Sequence, residues 1–282
     1  MIFVMKELVT PILNMTAWRM EAPRLFGAFH LAAAVIAAAA AVLLASFFAK
    51  RVMNAEDPDK RLVKILTVTG AVLAVLEIYK QLFLFYIVNG GTYDWWYFPF
   101  QLCSVPMYLC ILLPLIPERS ALRSSMLTFM AGFTFISAAA ALIYPQDFLR
   151  SYVTLTAHGF IWHAVLLFIS LTIGLSGMAD LSGRGIRRSV MLFLVLCAAA
   201  VSINIYAEPL MQSANASGAL AESYAAMFYL NPYHISPQPV VGAIQKSAGI
   251  PAGLALYIAA VAAASIIADI LFRRFGKDHT GC

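Results

Sequence analysis

Seven stretches of mainly apolar residues alternate with short polar segments along the chain. They run approximately from Leu25 to Ala49, Leu62 to Val88, Pro99 to Ile116, Ser124 to Tyr144, Tyr152 to Ser176, Ser189 to Tyr206 and Ile250 to Phe272. A hydrocarbon core roughly 30 Å thick is crossed by about 20 residues of α-helix, so each stretch predicts a spanning helix, the third and sixth being the shortest. The runs are continuous and rich in Ala and Leu, where strands of a membrane barrel would alternate in shorter pieces. Breakers fall between them, among them Pro58, Gly90 and Gly91, Pro117, Pro145, Pro209 and Pro232. Pro106 and Pro114 instead lie inside the third run, which predicts a kinked or partly unwound helix there.

Composition agrees with this pattern. Of 282 residues, 62% are hydrophobic and 12% are charged, against roughly 25% charged in a soluble domain. The expectation is an all-α, polytopic transmembrane bundle forming one domain over 25–272. It is preceded by an extracytoplasmic segment, 1–24, and followed by a cytoplasmic tail, 273–282. Lys6, Glu7, Pro11, Arg19, Glu21 and Arg24 interrupt the first 24 residues, unlike a cleavable signal peptide. Cys103, Cys110, Cys197 and Cys282 show no paired metal-ligand spacing. The net charge of +5 comes from short clusters rather than a continuous basic face, so no nucleic-acid partner is expected.

The clusters report topology instead. Lys50, Arg51, Lys60, Arg61, Lys64, Arg119, Arg123, Arg184, Arg187, Arg188, Arg273, Arg274 and Lys277 fall on one side, and Lys6, Arg19, Arg24, Arg150 and Lys246 on the other. The excess of Lys and Arg on the cytoplasmic side predicts an outer N-terminus and a cytoplasmic C-terminus. Tyr93, Trp95, Trp96 and Tyr97 then sit at the outer headgroup layer. So does the longest connection, from Ala207 to Gly249, whose aromatic residues argue for a lid or binding element.

Ionisable groups inside a membrane are costly and tend to face a cavity or the bundle interior. His30, Glu77, Lys80, His158 and His163 stand out. Glu77 and Lys80, three residues apart, share a helix face and can form a structural ion pair. His30, alone among alanines, reads as a helix-to-helix hydrogen-bonding group. Counting from the outer end at about 1.5 Å per residue places Cys103 near ~6 Å, His158 near ~10 Å, Lys80 near ~12 Å, Glu77 near ~16 Å and His163 near ~18 Å. Asn204 lies at the outer end of the sixth run. The outer half of the membrane thus holds the polar groups and the inner half is read as nearly bare, which predicts one cavity open to the outside.

In that cavity Cys103 and His158 match best by depth. A thiol with an imidazole in reach can form an acyl intermediate, the ring taking and returning a proton. Ser104 is a substitute nucleophile, although a helical serine more often bonds its own backbone. His163 lies about 140° around the helix from His158, so only one of them is expected to face a given point. No zinc-protease spacing, phosphate loop or dinucleotide fingerprint occurs, and no cofactor is expected.

The stretch from Leu76 to Leu109, with Glu77 and Lys80 and then Pro99-Phe100-Gln101-Leu102-Cys103-Ser104, resembles the YwaF-like family of multi-pass membrane proteins. His158-Gly159 resembles that family's His-Gly, and Met227-Phe228-Tyr229-Leu230 resembles its segment after the sixth helix. The chain departs from the pattern in lacking an Asn-Tyr pair before Met227, and 207–224 reads as an insertion. The family is similar to a eukaryotic transmembrane acyltransferase that moves acyl chains between phospholipids with a Cys and a His. The resemblance implies Cys103 as nucleophile and His158 as base, with Glu77, Lys80, Gln101, His163 and Asn204 in support. It also implies a membrane lipid as substrate or ligand, and a bacterial plasma membrane as location. Two other readings stay open: a transporter using Glu77, Lys80 and the histidines as an ion relay, and a sensor whose cavity binds a ligand without chemistry.

Overall fold

In a computed structural model the chain is described over residues 2–220 and 223–277, with side chains over 7–220 and 223–274. Among the described residues nine α-helices follow one another: α1 Ile2–Asn14, α2 Ala28–Met53, α3 Pro58–Phe83, α4 Val105–Leu112, α5 Ala121–Ile143, α6 Val153–Leu175, α7 Gly183–Ala216, α8 Pro239–Ala248 and α9 Ile250–Lys277. A π-helical turn, Leu84–Val88, prolongs α3. Six of the helices are long and apolar enough to cross a membrane: α2, α3 with its π turn, α5, α6, α7 and α9. Their outward faces carry Val35, Ile36, Leu43, Val75, Ile78, Val195 and Ile267 exposed, as a surface that meets lipid chains requires. The protein is a multi-pass membrane protein built as a helical bundle.

The third apolar run falls short of a spanning helix. Phe98 to Ser104 form turns, α4 occupies eight residues, and a 3-10 turn, Leu113–Leu115, completes it. Pro106 stands in the first turn of α4, where its missing N–H has no helical partner to lose, and Pro114 lies in the 3-10 turn. The segment nevertheless returns across the bundle. Arg123, in the first turn of α5, pairs with Asp59 in the first turn of α3 and donates from Nη1 to the Ile116 carbonyl at 2.9 Å. Two helix N-termini thus lie side by side, and the chain between Val88 and Ala121 travels the length of the bundle in a short helix and an unwound stretch. Gly70 permits this, since a Cβ there would stand 2.7 Å from the Cys110 Cβ on α4.

α5 and α6 form the centre, with buried residues around most of their circumference. Phe129, Phe133 and Phe193 stack at their crossing with α7, with ring centroids 4.9 and 4.5 Å apart. His30 joins α2 to this core, accepting from the Phe26 N–H and donating to the Leu142 carbonyl, both at 3.0 Å.

Three segments outside the apolar runs carry helix. The segment 1–24 is helical over Ile2–Asn14, and its continuation pairs with the start of α6 through Met20 N–H to Ser151 and Val153 N–H to Trp18. The 207–249 connection is largely helical: α7 runs through Pro209 to Ala216, so the stretch read as an insertion is mostly the last turns of that helix. A proline removes one hydrogen bond but need not end a helix whose freed carbonyl finds other partners. The tail read as 273–282 continues α9 to Lys277; the remainder, with Cys282, lies outside the described residues.

Candidate functional site

A cavity of about 480 Å³ lies at the end of the bundle bearing Trp96, Tyr97 and Tyr229, walled by α3, the unwound 98–104 stretch, α5, α6 and α9. Cys103, Ser104, Gln101, Lys80, His158 and His163 all line it. Glu77 stands one step behind, its Oε1 2.8 Å from Lys80 Nζ and 2.7 Å from Gln81 Nε2. That Gln81 amide also donates to the Tyr97 carbonyl at 2.5 Å, tying α3 to the loop above.

The unwound stretch explains how Cys103 reaches the cavity. Without helical hydrogen bonds of its own, the Cys103 carbonyl accepts the Trp162 indole N–H at 3.1 Å. Trp162 in turn stacks on His158, with centroids 5.5 Å apart and an interplanar angle of 21°. Lys80 Nζ lies 5.9 Å from the centre of the same indole. The Cys103 backbone, the imidazole and the ammonium are therefore arranged around one aromatic ring.

Both histidines line the cavity, from different faces of α6. Between them, a Cβ on Gly159 would lie 2.3 Å from the Phe148 ring, so Phe148 sits directly on the helix. His163 stacks on Phe148 at 4.9 Å and 18°. Each ring uses one nitrogen on a carbonyl, His158 Nε2 on Leu76 at 3.2 Å and His163 Nδ1 on Gly159 at 2.7 Å. With those nitrogens as donors, the other nitrogen of each ring keeps a lone pair. Neither ring hydrogen-bonds to Cys103 Sγ in this arrangement.

Gln101 and Asn204 hold backbone rather than substrate. Gln101 Nε2 donates to the Ala226 carbonyl at 3.1 Å, and its Oε1 accepts the Phe228 N–H at 2.9 Å. Asn204 Oδ1 accepts the Met227 N–H at 2.7 Å, and its Nδ2 donates back to the Met227 carbonyl at 3.1 Å. The segment they grip is strained, with φ of 55° at Phe228 and 57° at Tyr229, a region that L side chains enter at a cost. Phe228 and Tyr229 form part of the cavity wall, so the two amides fix its roof.

Several residues at this site escaped the sequence reading. Trp162 is one turn after His158, a spacing that could have flagged it. Asp147 and Arg150 lie in the α5 to α6 loop, and Tyr257 projects from α9. Tyr229 donates its hydroxyl to Asp147, and burial, followed by the Asp147 charge, pushes its phenol well above the ordinary value, keeping the donor proton in place.

Away from the cavity, Asp269 on α9 corrects the expectation of a bare inner half. It is fully buried, neither carboxylate oxygen has a hydrogen-bond partner, and Ser265, one turn earlier, is equally buried and unpartnered. Both close on Gly132, whose added Cβ would lie 2.5 Å from Ser265 Oγ and 2.6 Å from Asp269 Oδ1. Among the described residues no group of three or more His, Cys, Asp or Glu is placed to hold a metal ion.

Comparison with curated proteins and with solved structures gave no match. The family model that does match is that of the TMEM164 family, over residues 25–243. The matched region runs from the entry to α2 into α8 and takes in all the cavity-lining residues except those of α9. With most of its length covered by that match, the chain belongs to the TMEM164 family of multi-pass membrane proteins.

Proposed function

We propose that the protein is a lipid acyl-transfer enzyme of the membrane, with Cys103 as nucleophile and His158 as its base. The observation that carries this reading is the placement of a thiol and two imidazoles on the wall of one largely apolar cavity of about 480 Å³, a space suited to an acyl chain. In the first half-reaction the imidazole takes the Sγ proton and the thiolate attacks the ester carbonyl of a phospholipid. Collapse of the tetrahedral intermediate breaks the ester C–O bond, and the leaving lysolipid oxygen receives that proton from the imidazolium. In the second, the hydroxyl of an acceptor lysolipid gives its proton to the ring and attacks the thioester, and the thiol is restored. Lys80, held by Glu77, places positive charge beside the same indole as Cys103 and favours the oxyanion. The basic clusters on the other face support an outer-leaflet site.

Incubating purified protein with an acyl-labelled phosphatidylcholine and an unlabelled lysophospholipid tests this. Labelled diacyl product from the native chain and none from Cys103→Ala is the expected result. Equal product from both would exclude Cys103 as nucleophile.

One observation favours a second reading, an ion or proton relay. Tyr257 and Val261 line the cavity, and Ser265 and Asp269 continue the same face of α9 at intervals of four residues, leading from the cavity to a buried carboxyl. In proteoliposomes this reading requires proton flux that Asp269→Asn abolishes. The apolar Val261 interrupts the path, which leaves acyl transfer as the better-supported function.

A further inference from the structure

The cavity wall carries a cation that, among the described residues, forms no direct ion pair with a carboxylate. Arg150 lines the cavity from the loop between α5 and α6. Its Nε donates to the Asp147 carbonyl at 2.9 Å, and its guanidinium lies over the Tyr97 ring, with Cζ 5.3 Å from the ring centre. Among the described residues it forms no ion pair. The carboxylates nearby take their hydrogen bonds from other donors. Asp147 receives the Tyr229 hydroxyl, and Asp94 accepts the Trp96 N–H at 3.0 Å and the Ser223 hydroxyl at 2.9 Å. The other cation of the cavity, Lys80, is matched by Glu77 at 2.8 Å. Arg150 is thus positioned at Nε and by its stacked face, while its two Nη groups keep their donors.

We propose that Arg150 anchors the phosphodiester of a phospholipid whose acyl chain occupies the apolar part of the cavity. A guanidinium presents paired donors in a plane that matches phosphate oxygens, and stacking on an aromatic ring fixes that plane in advance. Depth selects a phosphodiester over a fatty-acid carboxylate: Arg150 stands beside Trp96 and Tyr97, ring types that favour the headgroup layer of a bilayer. A guanidinium whose Nη donors are free in a mainly apolar pocket also favours an anionic group over a neutral ester or hydroxyl. Arg150 then sets the preference of this site for a phospholipid over a neutral acylglycerol. The inference rests on the reading of the cavity as a lipid site, but not on any chemistry at Cys103.

Binding measured without turnover separates the two. In Cys103→Ala protein in nonionic detergent, the affinity for a phosphatidylcholine with a fluorescent acyl chain is compared with that for the diacylglycerol and the free fatty acid carrying the same chain. Adding Arg150→Gln is expected to weaken phosphatidylcholine binding by about ten-fold or more, as loss of charge-assisted hydrogen bonds implies. The other two probes should change by less than about two-fold, which also shows that the variant is folded. Should Arg150→Gln fail to fold, Arg150→Lys carries the comparison, with a smaller loss confined to phosphatidylcholine. Inorganic phosphate should not displace the bound lipid. Equal losses for all three probes, no loss for any, a loss centred on the fatty acid, or displacement by inorganic phosphate would each overturn the proposal. Arg150-dependent binding in a protein that transfers no acyl group would refute the enzymatic reading alone.

Discussion

The Trp162 indole N–H donates to the Cys103 carbonyl at 3.1 Å, so a residue in the middle of a spanning helix fixes the backbone of a residue in an unwound one. Trp162→Phe keeps most of the ring's packing and removes only this donor. The Cys103 carbonyl then loses its side-chain partner, at a cost of about 1 kcal/mol. Thermal unfolding in detergent should report that loss, and thiol alkylation of Cys103 should become faster as the stretch loosens. Unchanged alkylation would mean that the bond does not govern access to the thiol.

The roof over the cavity depends on two amides. Asn204→Ala strands the Met227 N–H and Gln101→Ala strands the Phe228 N–H, while the Met227 and Ala226 carbonyls keep the N–H groups of Leu230 and Tyr229. Each unsatisfied buried group costs about 1–3 kcal/mol. Because both variants release the same strained turn, the double variant is expected to lose less stability than the two single losses combined. Strict additivity in a double-mutant cycle would show the clamps to be independent.

Gly159→Ala brings a methyl to 2.3 Å from the Phe148 ring. Phe148 must move, and the stacked His163 must follow. A loss of about 1–3 kcal/mol is expected, together with a fall in lipid binding. A variant as stable as the native chain would contradict the close packing on which the double-histidine wall depends.

Asp94 caps the 3-10 turn Trp95–Tyr97 from a half-buried position outside the spans, and desolvation raises its pKa above the ordinary carboxylate value. A carboxyl whose folded pKa lies above its unfolded value binds its proton more tightly when folded. Its contribution to stability is therefore fully present below about pH 3.8 and is lost as pH rises through the folded value. Asp94→Asn keeps the oxygen that accepts from Trp96 and Ser223 but cannot ionise. Its unfolding midpoint is expected to fall less than that of the native chain between pH 4 and pH 7. Parallel pH profiles would place the cause elsewhere.

Much of the bundle could be read from apolar runs alone because spanning length and basic clusters follow from bilayer thickness and charge. The six long helices answer to six of the seven runs, and Pro106 with Pro114 marked the irregular one. Legible too were polar residues of the cavity: Lys80, His158 and His163 stand out because a membrane makes such groups costly, and Cys103 by its depth beside His158. What escaped depends on tertiary packing. Nothing local to Gly159 announces that Phe148 will lie on it, and an amide such as Asn204 carries no sign that it will clamp Met227. Pro209 misled because a proline is a breaker only where its freed carbonyl finds no other partner. Nothing in the apolar run around Asp269 announces its burial against Gly132.

The central claim is that Cys103 carries the acyl group, and peptide mass measurement after a brief incubation with phosphatidylcholine tests it most directly. The account predicts an acyl-sized mass increase on the peptide containing Cys103, removed by neutral hydroxylamine as a thioester is, accumulating when no lysolipid acceptor is present and absent in Cys103→Ala. An unmodified Cys103 peptide under conditions where the protein visibly converts the lipid would contradict it.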